Sequence, residues 1–443
     1  MSEVEIKQER GWKRYPAYKD SGVEWLGEIP EGWETKRLKF ISQLTMGQSP
    51  NSEDYNHDGY GAPFLQGNAE FGSRNPQAKI FCHTVNKYAE KGDILLSVRA
   101  PVGAVNEADQ RYGIGRGLCS IRADELLLSR VFVWFLLEVV KVQLNLFSTG
   151  STYEAVTVTD VANLNCLLPP LTEQQAIAQF LDRETVKIDT LIAKKERLIE
   201  LLKEKRTALI SHAVTKGLNP DAPMKDSGIE WLGKIPEHWE VKRLKDVALV
   251  NSATISEDTQ PDYLLKYIDI SNVDSDGSIL EAQEFQFQNA PSRARRIVKD
   301  GDTIISTVRT YLRSISLIQN PQHNLIVSTG FAVLSPTLEI EAQFLFRLVQ
   351  SDKFVEKVVA HSEGVGYPAI NPSKLICLPI WIPPLTEQQA IAQFLDRETA
   401  KIDTLVTKTR ISIDKLKEYR TALISAAVTG KIDIRENLTP SPN

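Results

Sequence analysis

The chain has 443 residues, of which 42% are hydrophobic and 25% charged, with a formal net charge of −5. It is too long for one ordinary core and too apolar for wholesale disorder. No apolar run reaches the roughly 18 residues of a membrane-crossing helix, and the polar opening MSEVEIKQERGWKRYP is unlike a secretory signal, so a cytoplasmic protein with no membrane partner is expected. Four scattered cysteines without a CxxC pair, and six dispersed histidines, point to reduced thiols and to no metal site.

In chain order, a polar connector (1–32) leads into KDSGVEWLGEIPEGWETKRLK (19–39), which returns as KDSGIEWLGKIPEHWEVKRLK (225–245) with four differences. LPPLTEQQAIAQFLDRETVKIDTL (168–191) returns at 382–405 with two differences, and KEKRTALISHAVT (203–215) returns as KEYRTALISAAVT (417–429). The stretches between the copies share little beyond GDILLSVRAP (92–101) against GDTIISTVRT (301–310) and STGSTYEAV (148–156) against SEGVGYPAI (362–370). A period this long marks two repeats. The order is a variable domain (33–168), a long helix (169–216), a linker (217–238), a second variable domain (239–382), a second long helix (383–430) and a tail (431–443). Near-identical connectors around divergent domains suggest that the connectors meet a common partner and the domains meet different targets.

Each variable domain alternates short β-branched runs (ILLSV, VGAV and LCSIR, then KYIDIS, TIISTV and ISLI) with Gly, Asn, Pro and Asp turns. Each then carries one apolar helical stretch (131–147 and 341–359). A mixed α+β domain of about 140 residues with a small twisted sheet is expected in each case.

After Pro169-Pro170, Thr172 with Gln175 fits a capping box, and Thr386 with Gln389 repeats it; Glu173 suits the positive first turn. Apolar residues then fall on alternating three- and four-residue steps, the spacing of a heptad seam. They are Ile177, Leu181, Ile188, Leu191, Leu198, Leu202 and Leu209, with Glu184, Lys195 and Lys205 in the polar slots. The second copy gives Ile391, Leu395, Ile402, Leu405, Leu416, Tyr419 and Leu423. An amphipathic helix of about 40 residues, roughly 60 Å, must bury its stripe against something, and the other copy is the obvious partner. The expected fold is α+β: two mixed domains separated by two long helices that pair as an antiparallel coiled coil. That arrangement is pseudo-twofold and quasi-circular, with the second helix ending near the N-terminal segment.

Basic and aromatic residues on loops are the candidate contacts to DNA, because they can hold phosphate and arginine can grip a guanine edge with two hydrogen bonds. The first domain offers Arg74, Lys79, Arg99, Arg111 and Arg116, with Thr152 and Tyr153 in a Gly-flanked loop. The second offers a basic strip of Arg293, Arg295, Arg296 and Lys299, and Tyr367 in the matching loop. Arg309, Tyr311 and Arg313 alternate, so on a strand they would share one face. Arg99 and Arg309 match across the repeat, which favours a shared structural or phosphate role. GIGRG (113–117) runs straight into LCSIR and reads as a tight turn between strands rather than a nucleotide loop. No GxxxxGK[ST], HExxH or GxSxG motif occurs, and the LPPL and IPPL pairs lack the flanking residues of an amino-methyltransferase, so no catalytic residue and no bound cofactor are expected.

Two W-x-x-K-R-L-K entries (33–39, 239–245), each followed by a variable domain and then PPLTEQQAIAQFLDRET, closely resemble the specificity subunits of type I restriction-modification systems. The resemblance covers nearly the whole chain. It implies that the variable domains are target recognition domains, each reading half of a split site on double-stranded DNA. It also implies helices that act as a ruler and dock two modification (methyltransferase) subunits. Those subunits would carry S-adenosylmethionine, and restriction (motor-nuclease) subunits would join for cleavage. A chain that shares the DNA clamp with modification subunits need not be basic itself, although phosphate neutralisation supplies much of the affinity in such complexes. The acidic balance favours a different reading, a two-headed adaptor whose domains bind proteins.

Overall fold

A computed structural model describes residues 12–147 and 155–435. The chain divides into two compact units, Met1–Glu196 with Arg410–Asn443, and Arg197–Thr409. Among the described residues no helix is long and apolar enough to cross a membrane.

In the first unit a four-stranded antiparallel sheet runs in the order Val105–Glu107, Ile94–Ser97, Leu118–Ala123, Ser42–Met46. All four residues of Ile94–Ser97 are buried, so the strand opens on a continuous apolar run, Ile94 to Leu96, rather than an alternation. A second sheet is built around a parallel pair, Ala62–Leu65 with Tyr112–Ile114. The second unit repeats the first sheet in the same order, Ile315–Leu317, Thr303–Ser306, Phe331–Pro336, Ala248–Val250, and again builds a second sheet around a parallel pair, Leu264–Ile268 with Leu325–Ser328. Each domain thus holds two larger sheets where one was expected, and a short antiparallel pair joins its ends, Glu34–Arg37 with Asn165–Leu168 in the first and Glu240–Arg243 with Pro379–Ile382 in the second. The unlike sequences share a topology because both satisfy the same burial pattern.

The apolar helical stretches are each broken in two. The first gives Arg130–Val140 and Val142–Phe147. The second gives Ala342–Gln350 and Asp352–Ala360, parted by Ser351, whose extended backbone (φ −61, ψ 146) ends one helix and starts the next. Gly115 to Gly117 of the GIGRG segment form the turn between Tyr112–Ile114 and Leu118–Ala123.

The long helices, Leu171–Lys216 and Leu385–Val428, each contribute to both units. In the first unit the opening turns of the first helix (Ile177, Leu181, Ile188) share a core with the closing turns of the second (Leu423, Ala427, Val428). In the second unit the closing turns of the first (Ile210, Ala213, Val214) share a core with the opening turns of the second (Ile391, Leu395). Both pairings are antiparallel. An ion pair marks each, Asp189 with Arg420 at 2.9 Å and Arg206 with Asp403 at 3.1 Å. These are the same two repeat positions, so both units use one register.

That register corrects the expected seam. Leu191, Leu198 and Leu405 are 43, 45 and 51% exposed, whereas Thr185, Ile188, Ile402, Val406, Thr409 and Ile413 are buried. Alternating three- and four-residue steps admit two seams that share every second position. The true one takes Thr185, Ile192, Ile199 and Arg206 where the expected one took Glu184, Leu191, Leu198 and Lys205. Thr185 fits the apolar line because its hydroxyl donates to the Leu181 carbonyl at 2.7 Å. Of the other expected members, Ile177, Leu181, Ile391, Leu395 and Leu423 are buried, while Leu202, Leu209, Leu416 and Tyr419 are half-buried.

Beyond the second helix the chain returns to its own start. The Asp433 amide donates to the Lys13 carbonyl at 2.8 Å, the Tyr18 hydroxyl donates to the Gly430 carbonyl at 2.9 Å, and Ile432 and Ile434 are fully buried in the first unit's core. Within the first unit, the N-terminal connector therefore receives the end of the second helix.

Cys82, Cys119 and Cys166 are buried and Cys377 is exposed. Burial pushes the Cys119 thiol up to about 12 and raises those of Cys166 and Cys82 as well. A thiol reagent at pH 8 is therefore expected to modify Cys377 alone in the native protein and all four cysteines in denaturant. Because these folded-state values lie above the unfolded one of about 8.5, the neutral thiols lend full stability below that pH and lose it as pH rises through the alkaline range. Rapid native labelling of two or more thiols would contradict the burial.

Candidate nucleic-acid interface

The loosely matching motifs of the two variable domains come together in space, in each domain by itself. In the first, the strand end at Arg99 bridges Ala155, and the Val156 amide donates to the Val98 carbonyl at 3.0 Å. In the second, Val308 bridges Ala369, the Ile370 amide donates to the Thr307 carbonyl at 2.9 Å and the Arg309 amide to the Pro368 carbonyl at 2.7 Å. The counterpart of Arg99 is therefore Val308, and the expected match of Arg99 with Arg309 is off by one residue. One loop pair thus recurs on two divergent domains, which is the arrangement of a shared frame carrying different reading surfaces.

The second domain displays this pair in full. Arg309 has a left-handed backbone (φ 50), uncommon for a residue with a side chain and a form of strain that clusters at functional sites. Its guanidinium lies 4.3 Å from the centre of the Tyr367 ring, and Tyr367 is 65% exposed. Arg293, Arg309 and Tyr367 line one cleft of about 580 Å³, with Asp269 and Ser271 on its wall. A cationic group stacked on an exposed aromatic ring suits both phosphate and a base face.

Other expected contacts are placed differently. Arg309, Tyr311 and Arg313 do not share a strand face, because the strand ends at Ser306 and Thr310–Leu312 forms a 3-10 turn. Tyr311 is exposed, but Arg313, also left-handed (φ 57), pairs with Asp352 at 2.5 Å and lines a separate cleft with Arg206. The basic strip is also split. A bulge between Ala294 and Arg296 breaks the register, Arg295 lies over the Phe287 ring at 5.3 Å, and Arg296 buries its Nε without a hydrogen-bond partner among the described residues. Arg293 and Lys299 remain exposed.

In the first domain Lys79, Arg99 and Arg116 are exposed. Arg111 stacks on Tyr88 at 3.8 Å and pairs with Glu90 at 3.1 Å. Arg74 is turned inward. It pairs with Glu107 and with Asp182 of the first long helix, both at 2.9 Å, and lies over Trp134. Thr152 and Tyr153 fall outside the described residues.

The glutamines that hold each domain to its helix were not among the expected residues. The capping boxes are absent: each long helix starts at the residue before the threonine, the Glu173 and Gln174 amides donate to the Pro170 carbonyl, and Thr172 and Gln175 are exposed, as are Thr386 and Gln389. The neighbouring glutamine acts instead. Gln174 accepts from the Ser129 amide at 2.7 Å and donates to the Leu127 and Pro169 carbonyls at 2.9 and 2.8 Å. Gln388 accepts from the Glu341 amide at 2.8 Å and donates to the Glu339 and Pro383 carbonyls at 3.1 and 2.8 Å. Every one of these partners is backbone, so the variable sequence can change while the attachment stays. Glu173, the helix-dipole residue, also accepts from the buried Tyr15 hydroxyl, and Glu387 at the matching position accepts from the Trp239 indole at 3.2 Å.

Among the described residues no cluster of His, Cys, Asp and Glu could hold a metal ion. The chain matches the family described as the type I restriction modification DNA specificity domain twice, over residues 30–201 and 236–415. It is 38% identical to the putative type I restriction enzyme MjaX specificity subunit of Methanocaldococcus jannaschii, across 43% of this chain and 44% of that relative, so this match spans less than half of the relative's length. The MjaVIII specificity subunit of the same organism is 24% identical across 92% of this chain and 94% of its own, and the EcoDI specificity subunit of Escherichia coli is 21% identical across 92% and 90%. Two solved chains share the fold at 19% identity. One, from work on complex assembly and conformational transition of the type I restriction-modification system, has a TM-score of 0.69 and covers 90% of this chain and 98% of its own. The other, the HsdS subunit from Thermoanaerobacter tengcongensis, has a TM-score of 0.51 with 91% and 98% covered. With the family matched in both repeats and over most of the sequence, this chain belongs to the type I restriction-modification DNA specificity subunits, the recognition rather than the catalytic components of those systems.

Proposed function

We propose that the chain selects the DNA site for a type I restriction-modification complex, each recognition domain reading one half of an asymmetric, split site. The observation that carries this reading is the same backbone pairing of two segments, presented by two domains of unlike sequence on one repeated frame. Because the domains differ, the half-sites differ. Because the frame repeats, the domains approach the duplex in equivalent ways. The helices set the gap between the half-sites and dock two modification subunits, which supply S-adenosylmethionine and much of the phosphate neutralisation that a chain of net charge −5 lacks. Restriction subunits add cleavage.

The test is methylome sequencing of a methylation-free host that expresses the chain with its cognate modification subunit. A split, asymmetric motif carrying methyladenine in both halves is the expected result. No new methylation, with the modification subunit soluble and co-purifying, would sink the reading and leave the protein-binding adaptor that the acidic charge favours.

A further inference from the structure

Each long helix carries the identical run Phe-Leu-Asp-Arg-Glu-Thr, and in each unit its aspartate receives an arginine from the recognition domain. In the first unit the arginine is Arg74, from the loop ahead of the strand Ile80–Cys82, at 2.9 Å from Asp182. In the second it is Arg347, from the domain helix Ala342–Gln350, at 2.9 Å from Asp396 and 3.3 Å from the Thr399 hydroxyl. The two arginines occupy unrelated places in their domains, yet both end on the same repeat position. The glutamine attachment asks nothing of the variable side chains, but this second attachment asks each domain for one particular cation. Gln174 and Asp182 lie eight residues apart, as do Gln388 and Asp396, a separation of about 12 Å along the helix. Added to the apolar core that joins each domain to its helix, two polar anchors set apart along the helix resist a tilt of the domain better than one. The lever is sensitive, since a tilt of about 10° on an arm of roughly 20 Å displaces a reading edge by about one base-pair step.

We infer that Asp182 and Asp396 are positioning residues that hold each recognition domain at a fixed tilt on its helix and so determine how strictly the gap between half-sites is measured. This rests on the reading of the chain as a split-site specificity subunit.

The test compares wild type, Asp182→Asn, Asp396→Asn and the matching Asp→Glu variants, each co-expressed with the modification subunit in the methylation-free host, with methylated sites sorted by gap length. The asparagine variants should keep the wild-type bases in both half-sites. Methylation at gaps one base pair longer or shorter should rise tenfold or more, and the glutamate variants should restore stringency. A merely structural role would lower methylation at every site alike with the gap unchanged, and that outcome overturns the inference. Should an asparagine variant fail to accumulate folded, Arg74→Gln puts the same question from the domain side of a half-exposed pair. If wild type itself marks no split motif, the specificity reading has failed and this inference falls with it; if wild type marks one and the variants keep its gap, only the inference has failed.

Discussion

Replacing Gln388 with alanine is expected to destabilise the second unit by about 3 kcal/mol, from the loss of a buried three-bond clamp. Gln388 is 1% exposed and satisfies the Glu341 amide, which opens a domain helix, together with the Glu339 and Pro383 carbonyls. Alanine would leave these backbone groups short of a partner. An orphaned buried group costs on the order of 1–3 kcal/mol, and the surface position of Glu339 lets water recover part of the total. Gln174 makes the same three kinds of bond while fully buried, so Gln174→Ala should cost the first unit a similar amount. Gln175 and Gln389, next along each helix, are exposed, and alanine there should change stability by less than about 0.5 kcal/mol. Urea unfolding of the four variants decides the matter, and equal effects at adjacent glutamines would show that the clamp contributes nothing.

That pair of glutamines also marks where the sequence was legible. The repeat, the two long helices, their antiparallel pairing and the return of the chain to its start could all be read from copied segments and apolar spacing, because these depend on patterns that survive without coordinates. The seam was half legible. Leu191 and Leu198 look like core residues, and only the partner helix decides that Ile192 and Ile199 lie inward instead. The site was least legible. An arginine reads the same whether it faces solvent, as Arg99 does, or a carboxylate across the domain, as Arg74 does, because its partner Asp182 lies 108 residues further along. A signal for the missed residues was present: Gln174 and Asp182 sit inside the stretch that is identical in both copies, where the duty common to two unlike domains must reside.

Asp396→Ala should cost the second unit about 3 kcal/mol, whereas Asp182→Ala should cost the first unit no more than about 1 kcal/mol, although the two aspartates occupy the same repeat position. The difference lies in the arginines. The Arg347 side chain is 9% exposed, its Nε has no partner among the described residues, and burial works against its charge, which Asp396 compensates at 2.9 Å. Removing the carboxylate leaves a buried guanidinium held by only Gln350 and the Thr399 hydroxyl. Arg74 is 40% exposed and keeps Glu107 at 2.9 Å when Asp182 is lost. If the cost comes from stranding a charge rather than from losing a favourable pair, removing both partners should relieve it. The double variant Arg347→Met with Asp396→Leu is accordingly expected within about 1 kcal/mol of wild type. It would nevertheless lose the fixed tilt that the ion pair imposes, so its stability and its gap stringency should part company. A double-mutant cycle by urea unfolding measures the coupling. Additive costs for Arg347→Met and Asp396→Leu, or equal costs for the two aspartates, would show that burial of the arginine is not what sets the scale.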